Sequence, residues 1–323
     1  MNEVPSISKE IDNKLINRIL LKNFNSVSPY FYKLIVEWMS DAYKTFNDLD
    51  KFLILIYLIN TDFIFFRRNN INIKFDDFYK DKTLEIDKIN LIQISKDLNI
   101  PKESVRRKIS ELENKGVIKK KGKQILIVRD AYEFQKPVNT IKNLSFILSE
   151  TSEVLKKEKI VLKSINSIEV SRLIKNNFSF CWYQYFKFIL AYCYRWRKYF
   201  GELEIMLIGL TIAFNSVTTA STKLKGVESY IDKWRDEILQ SNIRGINAMS
   251  ISEITGIPRP TTIRKIKSLI KLNMVNIDKN KLLHIKFDEK TLIETSKLQN
   301  DTINDLSKLI SRTINQISIN YNF

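Results

Sequence analysis

Two clusters of lysine and arginine are the residues with the clearest chemical potential in this chain. The first lies in IPKESVRRKISELENKGVIKKKGK, residues 100–123, and the second in IPRPTTIRKIKSLIKLNMVNIDKNK, residues 257–281. Guanidinium and ammonium groups bind phosphate oxygens, and arginine can also donate two hydrogen bonds to one guanine edge. Such clusters can therefore bind a polyanion, although many solvated helix surfaces carry similar charges.

The charge of the whole chain agrees with a polyanionic partner. Its 323 residues include 53 Lys and Arg against 36 Asp and Glu, a formal net charge of +17. An excess of this size favours nucleic acid or an anionic membrane surface. Because Lys, Ile and Asn are all abundant, an A·T-rich coding sequence is another source of the lysines. Composition therefore favours nucleic acid without requiring it.

Residues for catalysis or metal binding are scarce in the sequence. It has one histidine, His284, and two cysteines, Cys181 and Cys193. This set is too small for a zinc site or for a nucleophile with its base. Neither GxxxxGK[ST] nor GxGxxG occurs. We therefore predict no catalytic residue, no metal-binding residue and no cofactor.

Two acid pairs, Asp48/Asp50 and Glu202/Glu204, have a spacing that could serve general acid and base catalysis. Each pair stands where an apolar helical segment begins. Acids at that place more often complement the positive end of the helix dipole. We interpret both pairs in this way and expect no enzymatic activity.

Cysteine usage and the N-terminal sequence predict a cytoplasmic protein, which binding to nucleic acid would make nucleoid-associated. Two cysteines in so long a chain provide no disulfide framework, as in a reducing compartment. The segment MNEVPSISKEIDNK has no apolar core and does not resemble a signal peptide. One apolar run, FLILIYLINTDFIFF at residues 52–66, is too short to span a bilayer and contains Asn60 and Asp62. We predict a buried helix there and no membrane contact.

The chain resembles itself at a fixed offset. In the basic segments five residue pairs are related by a shift of 157 positions: Pro101/Pro258, Arg107/Arg264, Lys108/Lys265, Ile109/Ile266 and Leu112/Leu269. Upstream, residues 43–60 resemble 197–215 and residues 30–38 resemble 184–192, with a shift of 154. Agreement of pattern, gaps and element order predicts an internal duplication, and chance similarity between A·T-biased segments is the weaker explanation.

The first basic segment predicts a helix, a tight turn, a second helix and a β-hairpin. Residues 90–98 have helical spacing, and Asn99 and Pro101 mark the turn that follows. A second helix over residues 102–114 buries three apolar residues spaced by four and three, Val105, Ile109 and Leu112. Gly116 ends this helix, and a hairpin follows around a Lys-Gly-Lys tip.

The second basic segment predicts the same order of elements. MSISEITGIP gives the first helix and its turn, with Gly256 in the turn. The second helix covers residues 261–272, and Asn273 stands where the first segment has its glycine cap. MVNIDKNKLLHIKF forms the hairpin, on which we interpret His284 as an incidental strand residue.

In this order of elements the sequence resembles winged helix-turn-helix transcriptional regulators of the MarR and IclR type. The resemblance rests on ISKDLNIPKESVRRKISELENKGVI and ISEITGIPRPTTIRKIKSLIKLNMV and covers roughly 45 residues of each repeat. It implies that the second helix enters the DNA major groove and that the hairpin, or wing, lies along the backbone or minor groove. Because winged helices also bind proteins, the pattern is more specific for the fold than for the function.

The cations outside the buried helix faces are the expected DNA contacts. Arginine, serine and threonine on the second helix can meet bases or phosphates, and wing lysines can meet phosphates. The predicted DNA-binding residues are Lys102, Ser104, Arg106, Arg107, Lys108, Lys119, Lys120, Lys121, Lys123, Arg259, Thr261, Thr262, Arg264, Lys265, Lys279 and Lys281.

The two repeats differ in charge. Arg106 corresponds to Ile263, and the lysine-rich first wing corresponds to the milder NIDKNK. We therefore expect repeat 1 to supply more of the salt-dependent affinity. Ile263 could contact a thymine methyl group or pack on Ile266 and Ile270, and we favour packing.

We predict a mainly α fold with small β-hairpin wings, in which two winged helix-turn-helix units form an internally duplicated pseudo-dimer. Each unit follows a helical segment, and the aromatic-rich run at residues 180–200 should be buried between the repeats. The predicted parts are an N-terminal helical extension (1–26), repeat 1 (27–135, with its winged unit at 90–128), a helical connector (136–177), repeat 2 (178–290, with its unit at 247–287) and a C-terminal helix (291–323).

The predicted function is that of a transcriptional regulator that binds double-stranded DNA, as a monomeric pseudo-dimer or a homodimer. Any small-molecule effector is left open. A plasmid-type replication initiator, which also carries two winged helices, and a winged-helix protein scaffold are the alternatives. Tandem direct repeats in the bound DNA would indicate an initiator, and a pseudo-palindrome a regulator. Duplex binding that is absent or independent of salt would indicate a scaffold.

Overall fold

The computed structural model describes residues 7–122, 124–132, 136–223, 231–240 and 244–318. It is mainly helical with a few small antiparallel strands, as predicted. The helices are α1 (Asn13–Lys22), α2 (Phe24–Phe46), α3 (Leu49–Arg68), α4 (Phe75–Phe78), α5 (Leu91–Leu98), α6 (Lys102–Asn114), α7 (Val138–Lys157), α8 (Ser167–Asn176), α9 (Phe178–Phe200), α10 (Leu203–Lys223), α11 (Ile231–Gln240), α12 (Ala248–Thr255), α13 (Arg259–Lys271) and α14 (Glu289–Ser318). The strands are β1 (Thr83–Ile86), β2 (Ile118–Lys121), β3 (Gln124–Val128), β4 (Val275–Ile277) and β5 (Leu283–Ile285).

Helices of the first half have counterparts of matching length in the second half. Helices α1 and α8 both have 10 residues, α2 and α9 both have 23, and each pair lies 154 positions apart. The junctions also match, because Asn23 donates a side-chain hydrogen bond to Ile19 O and Asn177 donates one to Leu173 O. The correspondence therefore reaches upstream of residues 27 and 178, where the predicted repeats begin.

The two halves pack crosswise on each other. Helix α2 contacts α10, and the corresponding helix α9 contacts α3. Likewise α1 contacts α14, while its counterpart α8 contacts α7. The aromatic residues of α9 lie inside this arrangement: the ring of Phe186 is 5.5 Å from that of Phe63, and Tyr185 and Tyr192 are fully buried. One hydrophobic core thus joins the halves, as the aromatic-rich segment predicts.

Helix α10 is long and apolar enough to cross a membrane by length and composition alone. In its most apolar window, residues 203–220, 56% of the residues are buried inside the fold. It packs against α2, α9 and α13, which is the situation of a core helix. The run at residues 52–66 is part of helix α3. Residues 52–56 are buried, whereas Ile64 and Phe65 near its C-terminal end are exposed.

Each basic segment forms two helices and a hairpin. We call α5, α6, β2 and β3 unit 1 and call α12, α13, β4 and β5 unit 2. Helices α5 and α12 have eight residues, and α6 and α13 have thirteen. The backbone is left-handed between the helices at Asn99 (φ 52°) and Gly256 (φ 74°), and after the second helix at Gly116 (φ 72°) and Asn273 (φ 54°). Glycine and asparagine suit these positions because they tolerate positive φ.

Strand β1, which was not predicted from the sequence, extends the sheet of unit 1. Strand β1 pairs with β3, so that the sheet has the order β1-β3-β2. In unit 2 a single bridge between Ile246 and Leu283 takes a corresponding place beside β5. The four residues TLEI of β1 are too short for a convincing alternation in the sequence.

Candidate nucleic-acid interface

Helix α6 of unit 1 presents its predicted cations to solvent. Its apolar residues point into the core, with Val105 and Leu112 0% exposed and Ile109 6% exposed. On the other faces Lys102, Arg106 and Arg107 are exposed and Ser104 is half-buried. The wing lysines of strand β2, Lys119, Lys120 and Lys121, are exposed as well. Lys123 lies outside the described residues.

Helix α13 of unit 2 presents Arg259 and Arg264 in the same manner, with Thr261 half-buried near its first turn. Lys279 and Lys281 are exposed at the turn between β4 and β5. Ile263, which we expected to pack on Ile266 and Ile270, is 39% exposed.

The two residues on which Ile263 was expected to pack differ in exposure. Ile266 is buried, whereas Ile270 is 37% exposed. The Ile263 side chain therefore forms part of the outer surface of unit 2, and its packing on the two isoleucines stays a prediction.

Three of the predicted DNA contacts are wrong, because the structure buries them. Thr262 is 0% exposed, and its hydroxyl donates a hydrogen bond to Ile257 O at 3.0 Å. Lys108 and Lys265 are 8% and 5% exposed and are already paired with acids. Moving a buried, paired ammonium to a phosphate would leave its acid without a partner, which is costly. These residues hold the helices in place instead.

The partners of the two buried lysines are the two acid pairs. Lys108 of α6 pairs with Asp48 and lies 3.6 Å from the Oδ2 atom of Asp50. Lys265 of α13 pairs with Glu202. Because the lysines correspond to each other, and Asp48 to Glu202, the same kind of contact attaches α6 to the start of α3 and α13 to the start of α10.

The acids also join the two halves where α3 and α10 begin. Asp48 caps α3 as predicted, since its carboxylate accepts hydrogen bonds from the backbone N–H groups of Asp50 and Lys51 at 2.9 and 3.2 Å. Asp50 pairs with the buried Arg197 of α9. Glu204 accepts a hydrogen bond from the Leu49 N–H at 3.4 Å.

We call this group the junction cluster: Asp48, Asp50, Lys108, Arg197, Glu202, Glu204 and Lys265. Burial lowers the pKa of Arg197, and the neighbouring acids Glu204, Asp48 and Glu202 oppose that shift. Through Lys108 and Lys265 the inner sides of α6 and α13 are both held at this cluster. The sequence contained a sign of it, because acids and lysines recur together at corresponding positions in both halves.

Charge is divided differently in the two units. Helix α6 carries three acids, and two of them pair with its arginines: Arg106 Nη1 is 3.0 Å from Glu103, and Arg107 Nε is 3.8 Å from Glu111. Within the described residues, Lys120 Nζ also lies 2.8 Å from Glu113. The more basic wing of unit 1 is therefore partly offset by acids of its own helix.

Helix α13 carries Arg259, Arg264, Lys265, Lys267 and Lys271 and no acid. Among the described residues only Lys265 of this group forms an ion pair. The predicted excess of affinity in repeat 1 thus depends on its wing lysines, since its helix is the less cationic of the two.

The exposed cations of both units suit anion binding. Among the described residues no three His, Cys, Asp or Glu side chains come together in a way that could hold a metal ion. Burial raises the pKa of the Cys181 thiol to about 12, which leaves this cysteine protonated and unreactive at neutral pH. His284 lies 3.1 Å from Asp278 within the second hairpin.

Comparison of the chain with protein-family models, with curated proteins and with solved structures finds no match in any of the three. What the chain does must therefore be inferred from its own fold and surface.

Proposed function

We propose that the protein is a transcriptional regulator that binds double-stranded DNA with units 1 and 2 of one chain in adjacent major grooves. One observation carries the proposal. Helices α6 and α13 correspond to each other, expose arginines, and are attached to one junction cluster by corresponding buried lysines. Two equivalent cationic helices held at one place on a basic protein suit two neighbouring grooves of one duplex.

The local architecture supports a winged helix-turn-helix in each unit. In the first half, helix α4, strand β1 and then the elements of unit 1, namely α5, α6 and the hairpin β2–β3, follow in the order of that fold. We infer that α6 and α13 are the recognition helices and that the hairpins are the wings. Arg106, Arg107 and Arg264 would meet guanine edges or phosphates, and Lys119, Lys120 and Lys121 would meet phosphates.

The crosswise packing supports an internal duplication that acts as a pseudo-dimer. The main contacts between the halves occur in corresponding pairs, such as α2 with α10 and α9 with α3. Two-fold symmetry of a protein is mirrored by its DNA site, with half-sites about 34–36 Å apart. We therefore expect a pseudo-palindromic site, with half-sites that differ because the exposed residues of α6 and α13 differ.

A second candidate, a winged-helix scaffold that binds proteins, is favoured by one observation. Unit 2 exposes several large aliphatic side chains: Met249, Ile254, Ile263, Ile270 and Ile277. Such side chains suit a protein surface better than a phosphate backbone. We rank DNA first because the same unit carries four exposed cations on α13 and no acid there.

Genome-wide mapping of bound sites, joined to affinity measured over a range of salt concentrations, tests the proposal. A regulator gives pseudo-palindromes at promoters, whereas direct repeats would indicate a replication initiator. Affinity for the mapped duplex should fall steeply with salt. Replacing Arg106 and Arg107 by alanine should weaken duplex binding, whereas replacing Lys156 and Lys157, exposed lysines outside both units, by alanine removes the same charge and should change affinity little. Duplex binding that is absent or independent of salt would support the scaffold.

A further inference from the structure

An apolar cavity of about 110 Å³ lies in the second half of the molecule. Helix α10 forms one wall, and aromatic side chains of α2, α9 and α11 form others, among them Phe31, Trp196 and Trp234. Since one water molecule occupies about 10–15 Å³ of cavity volume of this kind, the cavity suits a ligand on the order of ten non-hydrogen atoms.

Small residues on one face of α10 leave this space open. Gly209, Ala213 and Val217 follow one another at a spacing of four and all line the cavity. A glycine inside a helix costs about 0.5–1 kcal/mol relative to alanine. The backbone does not require it here, because a Cβ atom on Gly209 would meet only the Leu269 side chain, at 3.4 Å. The effect of the glycine is therefore to leave space beside α10.

The corresponding place in the first half is filled. The residues of α3 that lie 154 positions earlier are Leu55, Ile59 and Phe63, all larger than their counterparts. Only about 50 Å³ remains there. Phe63 is fully buried, with its ring 5.0 Å from that of Phe78. The same arrangement of helices therefore exists in this chain with and without the large cavity, so the cavity is not a by-product of the fold.

Arg235 and Trp196, which line the cavity, already have polar partners. Arg235 is 8% exposed and donates hydrogen bonds to Asp232 at 2.9 Å and to Gln299 at 2.9 and 3.2 Å. Trp196 Nε1 donates to Thr302 at 3.3 Å. A charged ligand would find no free partner among these groups, whereas an aromatic ring would meet the edges and faces of other rings.

We propose that this cavity binds a neutral, mainly apolar aromatic molecule of about ten non-hydrogen atoms. The ligand would lie against α10 at Gly209 and Ala213, with Trp196 and Trp234 beside it. It would also touch unit 2, because Leu269 of α13, Val275 of β4 and Ile285 of β5 line the same cavity. Binding therefore adjusts how unit 2 packs on α10 and leaves unit 1 unchanged.

Calorimetric titration of the full chain with indole and toluene tests the site itself. We expect saturable binding of at least one of the two probes at one site per chain. The double variant Gly209→Leu with Ala213→Ile gives α10 larger residues, as in the first half, and should weaken that binding by about tenfold or more. Thr219→Leu adds apolar bulk to an exposed position of α10 and should leave binding unchanged.

Binding by the filled variant equal to that of the native chain would overturn the proposal, and so would the absence of saturable binding of either probe by the native chain. Should the double variant fail to fold, Ala213→Val alone partly fills the space and should still weaken binding. Unchanged binding by that folded variant would equally overturn it.

The effect on DNA is a separate step that rests on the proposed function. Saturating probe should change the affinity of the native chain for its duplex by about fivefold or more, a coupling of the size usual for allostery, and should not affect the filled variant. If the probe binds and DNA affinity stays constant, the coupling is wrong and the cavity remains a binding site. If no duplex is bound under any condition, the proposed function fails, and the titration alone decides about the site.

Discussion

The two buried lysines of the junction cluster permit a quantitative prediction, because they occupy corresponding positions with different surroundings. Lys108 has a side chain 9% exposed, and its partners Asp48 and Asp50 are 22% and 18% exposed. The Lys265 side chain is 7% exposed, but its partner Glu202 is 58% exposed. Replacing each lysine by methionine keeps the aliphatic stem and removes the charge. The two variants therefore show what the loss of the same ion pair costs when the acid partner is buried and when it is exposed.

Removing one member of a buried ion pair costs about 3–5 kcal/mol, because the other charge is left buried without its partner. For Lys108→Met we expect about 2–3 kcal/mol, since Arg197 still pairs with Asp50 and two backbone N–H groups still bind Asp48. For Lys265→Met we expect about 1 kcal/mol or less, because water can solvate the exposed Glu202 carboxylate.

Urea unfolding at pH 7, followed by circular dichroism, measures both variants as a shift in midpoint at constant slope. A double variant, Lys108→Met with Asp48→Asn, keeps the helix cap because asparagine also caps helices. It should recover about 1–2 kcal/mol relative to the sum of the single changes. Equal destabilisation by Lys108→Met and Lys265→Met, or a larger effect of the latter, would refute the reasoning that partner exposure sets the cost.

Three further results are expected. Burial raises the pKa of Asp62 to about 7, whereas the pKa of an aspartate in the unfolded chain is near 4. The contribution of protonated Asp62 to the free energy of unfolding is therefore complete below pH 4 and is lost as the pH rises through 7. The free energy of unfolding of Asp62→Asn should therefore equal that of the native chain at pH 4. At pH 8 it should be greater by about 1–2 kcal/mol, after allowance for the partial exposure of Asp62, and a native chain that is the more stable at pH 8 would contradict this. Replacing Lys119, Lys120 and Lys121 by alanine should reduce the slope of log affinity against log salt by about 2–3, and an unchanged slope would remove the first wing from the contact. Gly209→Ala should raise thermal stability by about 0.5–1 kcal/mol, whereas a lower melting temperature would show that α10 needs glycine at this position.

Local signals in the sequence predicted the helices and turns of both units closely. Helix α6 begins and ends at the predicted residues, since Pro101 and Gly116 mark both of its ends and its apolar residues have helical spacing. Helix α13 begins two residues earlier than predicted, at Arg259, because Pro260 is compatible with a first helical turn. Such features depend on neighbouring residues, which is why they can be inferred from one sequence.

Features that depend on tertiary packing were missed. Lys108 was predicted to contact DNA, yet at about 100° per residue it lies beside Val105 and Leu112, on the flank of the buried face. Only the position of Asp48, 60 residues away, explains why an ammonium group is stable there. The cavity could not be predicted either, because its size depends on how α10, α11, α13 and α14 pack together. The one sign of it in the sequence is that Gly209 corresponds to the larger Leu55.

The central claim is that α6 and α13 contact the same duplex at once. Hydroxyl-radical footprinting of the purified chain on a site selected from random DNA tests it most directly. We predict two protected segments about one helical turn apart. Arg107→Ala should weaken the protection of one segment, and Arg264→Ala should weaken the protection of the other. A single protected segment, or loss of the same segment in both variants, would contradict the claim.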